Sequence, residues 1–162
     1  RGRNESSWKE LLILAKDIPV DVRFLELMPI GEGKEGETIS NTTLFQKIKE
    51  IYPDIKPDER KHGNGPAIYY KIPGFEGSIG FISAIHGVFC DSCNRLRMTS
   101  TGELKPCLCY DETISVRDVA RCGDSEKIRE NIKHAIQIKP KKHCFSEIEK
   151  VSEKKKMAQI GG

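Results

Sequence analysis

The sequence predicts an α/β chain in two parts, and three observations carry that prediction. Residues 1–60 run helix, short turn, strand and helix, the order an α/β layer produces. From residue 61 to residue 162 the pattern changes to short paired strands, then to helices, the mark of a smaller α+β part. Three cysteines spaced C-x2-C-x13-C, Cys90, Cys93 and Cys107, flank a hairpin signal at Ser100-Thr101-Gly102.

The elements follow in order. Ser7-Trp8-Lys9-Glu10 has the S-x-x-E form of a capping box, and Trp8, Leu11, Leu12 and Ala15 repeat at helical spacing until Asp17-Ile18-Pro19. Val20 to Met28 reads as a strand, closed by Pro29, and Gly31, Gly33 and Gly36 make a connector. A second helix is expected over Thr43 to Ile51, with Thr43 and Gln46 as its box and Leu44, Ile48 and Ile51 on one face. After a polar stretch, Ala67 to Ile72 and Ser78 to Ile85 read as two antiparallel strands. Arg95 to Thr99 and Glu103 to Leu108 form the hairpin. Helices follow over Val116 to Arg121 and Ser125 to Ile138, the second with Ile128, Ile132, Ala135 and Ile136 as its apolar face. Pro140 stops it, and a lysine-rich tail runs to Gly161-Gly162.

Composition narrows the function classes. Charged residues are 31% of the chain and hydrophobic ones 37%, as in a globular protein. A formal net charge of +3 with no basic tract gives no basis for nucleic-acid binding. No apolar run reaches the ~20 residues of a membrane span, and the start carries no signal-peptide pattern, so a cytoplasmic location is expected. The chain opens on Arg1 and enters a helix at once, a pattern of mid-domain sequence, so a fragment of a longer protein is expected. Six cysteines in 162 residues are too sparse for a disulfide framework, and Cys122 and Cys144 read as ordinary thiols.

The cysteines at the hairpin suggest a metal, and spacing leaves two metals open. Cys90, Cys93, Cys107 and Cys109 form C-x2-C…C-x-C, a set able to close a structural zinc site, since alternate residues of a strand share a face. Cys90, Cys93 and Cys107 alone suit an iron–sulfur cluster that lacks a fourth cysteine, leaving one iron open to another ligand. Arg95 and Arg97 stand beside Cys93 on one strand face, and their guanidinium forks match phosphate oxygens.

The run FCDSCNRLRMTSTGELKPCL, from Phe89 to Leu108, resembles the carboxy-terminal cluster segment of the MoaA family. These are the radical S-adenosylmethionine GTP 3′,8-cyclases of molybdenum cofactor biosynthesis. Val22 to Pro29 (VRFLELMP) is similar to the family's VRFIEYMP strand, and Gly65-Pro66-Ala67 with Gly77 to Ser83 is similar to its GPA…GxIGFIS stretch. Lys142-His143 and Gly161-Gly162 match further landmarks in the same order.

The resemblance implies that residues 1–60 are the last elements of an incomplete (βα) TIM-type barrel and that 61–162 form a substrate-cluster domain. It implies Cys90, Cys93 and Cys107 as ligands of a [4Fe–4S] cluster whose unique iron faces GTP. Arg95, Leu96 and Arg97 are implied as GTP-binding, Arg23 as a further phosphate-side contact, and Met28 as lining the S-adenosylmethionine pocket. Gly161 and Gly162 are implied to reach the active site. Cys109 stands where the family commonly has Phe, and Glu26 and His143 receive no role. The C-x3-C-x2-C motif that holds the radical-generating cluster is absent, so this chain corresponds to the carboxy-terminal half and is expected to be inactive alone. A homodimer and a link to the pyranopterin monophosphate synthase step rest on the resemblance alone.

Overall fold

The computed structural model describes residues 6–87 and 89–160. Two compact units divide the chain: Arg1–Leu27 with Gly36–Phe89, and Met28–Glu35 with Cys90–Gly162. Among the described residues no helix is long and apolar enough to cross a membrane.

The first unit is a four-stranded mixed sheet with two helices. Its elements are α1 (Trp8–Asp17), β1 (Asp21–Leu25), α2 (Asn41–Ile51), β2 (Lys56–Pro57), β3 (Ile68–Lys71) and β4 (Ser78–Ile82). The strand order is β1-β4-β3-β2; β1 runs parallel to β4 with Val22 opposite Ile79, while β3 lies antiparallel to β4. Leu12 and Ala15 of α1, Leu44 and Ile48 of α2, and Ile79 and Phe81 of β4 share one core with Ile55, Ile72 and Phe75.

Both expected capping boxes differ from the structure. Ser7 is already helical (φ −82°, ψ −6°) and makes no side-chain cap, because a capping hydroxyl needs a non-helical residue. The second helix is capped earlier, by Ser40, whose extended backbone (φ −67°, ψ 149°) lets its hydroxyl accept the Thr43 N–H at 3.1 Å. Asn41 therefore opens the helix. Ile51 is exposed, so it does not complete the apolar face drawn from spacing.

The strands expected over Ala67 to Ile72 and Ser78 to Ile85 appear as β3 and β4 of the first unit. The two strands pair antiparallel as expected; β4 is an inner strand of the first unit's sheet, and the compact division comes at Phe89 and Cys90. The physical reason is burial: Ser78, Ile79, Gly80 and Phe81 are all buried, which a strand achieves only with neighbours on both edges and cover on both faces. Close approach shapes this strand at its start. A Cβ on Gly77 would meet the Val20 carbonyl oxygen at 1.8 Å, so only glycine lets the chain pass there.

The second unit holds a three-stranded antiparallel sheet of β5 (Arg97–Met98), β6 (Glu103–Lys105) and β7 (Ile114–Ser115), followed by α3 (Arg117–Arg121) and α4 (Ser125–Gln137). The hairpin is shorter than expected. It turns at Gly102, whose φ of 81° suits glycine, and β7 completes the sheet. Asp124 caps α4 by accepting the Lys127 N–H at 2.9 Å. Ala135 of α4 packs into a core with Leu104 and Val116, but Ile132 and Ile136 stay 39% and 56% exposed. Three short strands are too narrow to cover the whole apolar face expected of this helix. The lysine-rich tail is better packed than its composition suggests, with Val151, Glu153 and Ile160 buried.

A polar knot closes the loop of the first unit. The nearly buried Asp58 carboxylate accepts from Arg60 Nη2 at 2.7 Å and Ser78 Oγ at 2.6 Å, and His62 Nε2 lies 3.1 Å away. The Arg60 guanidinium, opposed by burial and helped by Ser78, holds the carboxyl far below the carboxylate range. A depressed folded-state pKa gives stability that is complete above the unfolded value of 3.8 and is lost as pH falls below it. Asp58→Asn is therefore expected to cost about 1–3 kcal/mol near neutral pH. In urea melts, the gap between variant and wild type should narrow below about pH 4.

Candidate metal centre

In the second unit a one-turn 3-10 helix, Cys90–Ser92, folds the C-x-x-C segment, and the Cys93 N–H donates to the Cys90 carbonyl at 3.1 Å. Cys107 follows β6 by two residues, after buried Pro106. Cys90, Cys93 and Cys107 are free and half-buried. Burial pushes the Cys107 thiol up. The Cys109 N–H and the Lys139 cation pull it back, while Cys90 and Cys93 lie near enough to push it up further. The three sulfurs thus sense one another, although no three His, Cys, Asp or Glu side chains among the described residues are closed into a metal-holding group.

Lys139, just past the end of α4, ties the two limbs of the cysteine loop. Its Nζ donates to the Arg95 carbonyl at 2.9 Å and to the Pro106 carbonyl at 2.8 Å. Each carbonyl lies within two residues of a candidate ligand, so one cation sets the span from Cys93 to Cys107. Spacing gave no sign of this, because a lysine before a proline reads as a surface residue.

Cys109 is withdrawn from the set. It is wholly buried and disulfide-bonded to Cys144. This corrects two expectations, the four-cysteine zinc site and the reading of Cys144 as an ordinary thiol. The zinc site assumed that strand alternation continued through Cys107 and Cys109, but β6 ends at Lys105 and the pleat no longer aligns them. Cys122 is free and exposed.

Arg95 is exposed and Arg97 half-buried, while Leu96 between them packs against the core of Leu104, Val116 and Ala135. Arg23 lies exposed on β1 of the first unit. A Cβ on Gly80 would fall 2.9 Å from Arg23 Cγ and 2.8 Å from the Tyr69 ring, so this glycine makes room for both side chains. Met28 is half-buried and opens the Met28–Glu35 segment of the second unit. Gly161 and Gly162 lie outside the described residues.

Glu26, left without a role by the sequence, is a buried tie of the first unit. Its carboxylate accepts the N–H groups of Asn41, Ile85 and His86 at 3.1, 2.8 and 3.0 Å and lies 3.0 Å from His86 Nδ1. Burial pushes its carboxyl up, but those donors outweigh it and hold the group below its usual range.

A second buried carboxylate anchors the tail. Glu153 forms an ion pair with Lys105 of β6, both side chains at most 2% exposed, and Lys105 Nζ also donates to the Tyr110 carbonyl at 2.8 Å. No sequence signal links these residues, since lysine and glutamate alone rarely indicate burial. Glu153→Gln leaves Lys105 buried without a counter-charge, and its expected cost is about 3–5 kcal/mol. Urea melts should show that loss, and limited proteolysis should open residues 151–160. The double variant Lys105→Met with Glu153→Leu should recover most of the stability.

Comparison with known proteins adds sequence relationships to this geometry. The family model described as Molybdenum Cofactor Synthesis C matches residues 20–145. The GTP 3′,8-cyclase of Clostridium perfringens (strain 13 / Type A) is 44% identical over 160 residues, covering 98% of this chain and 50% of that protein. The GTP 3′,8-cyclase of Alkaliphilus metalliredigens (strain QYMF) is 39% identical over 99% of this chain and 49% of its own length. That of Listeria monocytogenes serotype 4b (strain CLIP80459) is 34% identical over 100% of this chain and 51% of its own length. The chain spans about half the length of the curated relatives it matches.

Proposed function

The chain belongs to the Molybdenum Cofactor Synthesis C family, and from that premise we propose that it is the substrate-cluster half of a radical S-adenosylmethionine GTP 3′,8-cyclase. The reaction is the first step of molybdopterin biosynthesis, the rearrangement of GTP to a cyclic pyranopterin precursor that a pyranopterin monophosphate synthase step then consumes. The observation that carries the proposal is the separation of the cysteines: three remain free and half-buried at one loop, while the fourth candidate is bound elsewhere. Three thiols fit a [4Fe–4S] cluster with one iron left for substrate, and they do not complete a tetrahedral zinc site.

In this reading Cys90, Cys93 and Cys107 hold the cluster. When loaded, that cluster offers GTP an open iron, while S-adenosylmethionine and an amino-terminal cluster supply the radical chemistry. The chain's own residues do the positioning. Lys139 holds the limbs of the loop at a set span. Leu96, packed against the core, pins the segment just before and into β5 from which Arg95 and Arg97 take the anionic groups of GTP as bidentate donors. Arg23 adds a phosphate contact, and Met28 lines the S-adenosylmethionine site. Ile160, wholly buried, anchors the tail immediately before Gly161 and Gly162, the residues assigned to the active site. The parallel pair β1 and β4 is taken as the last part of an incomplete barrel whose other strands come from the amino-terminal half. The enzyme is taken as cytoplasmic and as a homodimer.

The test is anaerobic reconstitution of the full-length protein with cysteine and arginine variants. Serine at Cys90, Cys93 or Cys107 should abolish the carboxy-terminal cluster in iron analysis and EPR, whereas Cys109→Ser should leave iron content unchanged. Arg95→Ala and Arg97→Ala should each weaken GTP binding by tenfold or more at about 1.5–3 kcal/mol per charge-assisted contact, with the cluster intact. Unchanged GTP affinity in both arginine variants contradicts the substrate assignment. Product formation by the isolated chain contradicts the division of labour.

A further inference from the structure

His143 bonds one limb of the cysteine loop directly, and its neighbour Cys144 links it to the other. Its backbone N–H donates to Cys90 Sγ at 3.4 Å. Its neighbour Cys144 is disulfide-bonded to Cys109 and donates its own N–H to Cys109 Sγ at 3.0 Å. The Cys109 N–H in turn bonds the Cys107 thiol. The imidazole stacks on Phe145 with ring centroids 4.7 Å apart and planes at 29°.

The hydrogen bonds select the tautomer. Nδ1 accepts the Phe145 N–H at 3.3 Å, so it carries no proton. A neutral ring that accepts at Nδ1 carries its proton on Nε2. That Nε2 is buried and has no hydrogen-bond partner among the described residues. A buried donor without an acceptor is rare in folded proteins and calls for a group that fills the place. The acceptors expected at this loop are sulfurs, both the cysteine thiolates and the sulfides of a cluster.

We propose that His143 donates a hydrogen bond from Nε2–H to a sulfur of the cluster held by Cys90, Cys93 and Cys107, a role that rests on the assignment of those cysteines made above. His143 is a tuning residue and not an iron ligand. Reduction adds negative charge to the cluster, and an N–H donor stabilises the more negative state, so His143 raises the reduction potential. The Phe145 stack keeps the ring aligned, and the disulfide beside it keeps the ring at the loop.

The test uses the full-length protein with its amino-terminal C-x3-C-x2-C cysteines replaced by alanine, so that this cluster alone is reconstituted. His143→Phe keeps an aromatic ring for the stack and removes the donor; His143→Gln restores an N–H of similar reach. In dithionite titrations followed by EPR, His143→Phe should disfavour reduction by roughly threefold to tenfold, tenfold being 59 mV for one electron, and His143→Gln should recover most of the difference. Pulsed EPR on protein carrying 15N-histidine should show a weak nitrogen coupling that His143→Phe abolishes. Equal potentials in the three proteins, or no histidine coupling in the iron-loaded wild type, overturns the proposal. If His143→Phe takes up no iron, the coupling in the wild type decides the matter. A wild type that binds no iron at all overturns the cluster assignment itself, an outcome distinct from an intact cluster that ignores His143.

Discussion

Lys139 is the constraint on which the candidate centre depends. The C-x-x-C turn and Cys107 are separated by a hairpin, and short strands do not by themselves set the gap between their outer ends. Lys139 sets it by bonding the Arg95 and Pro106 carbonyls at once. Its own place is a consequence of packing: Ala135 seats α4 against Leu104 and Val116, which brings the end of the helix to the open side of the hairpin. A cation just beyond a helix carboxyl end also suits the macrodipole there. Apolar packing of one small residue therefore passes, through a lysine, to the arrangement of three thiols.

The tail is fixed by a different balance of forces. A buried ion pair is costly to desolvate and is not by itself a source of stability. Lys105 and Glu153 offset that cost by shared hydrogen bonds, Lys105 to the Tyr110 carbonyl and Glu153 from the Lys155 N–H at 2.7 Å. What the pair provides is registry, since it fixes Glu153, and with it the tail segment, against Lys105 of β6. Ile160 then buries fully at the far end of the same segment. A lysine-rich run that composition marks as solvated is in this way held at both ends.

Local elements were legible in the sequence, and long-range partners were not. Apolar periodicity located α1, α2 and α4 within a few residues, because a 3.6-residue repeat is a local property. Capping failed at Ser7 because the hydroxyl pattern does not reveal whether a residue is itself helical. The parallel pairing of β1 with β4 joins residues far apart in sequence, and the run SIGFI gives its burial but not its neighbour. Cys90, Cys93 and Cys107 stood out by spacing, together with Arg95 and Arg97. Cys109 misled because its bond to Cys144 spans 35 residues, and neither Lys139 nor His143 carries a mark that separates it from a surface side chain.

The proposed function requires that three cysteines, and not four, serve this loop. Anomalous diffraction at the iron and zinc edges from anaerobically loaded full-length crystals tests it most directly. A four-iron feature bonded to the Sγ atoms of Cys90, Cys93 and Cys107 is expected, with the fourth iron free of cysteine and Cys109 paired with Cys144. A single zinc peak bound by Cys109 together with the other three cysteines would contradict it.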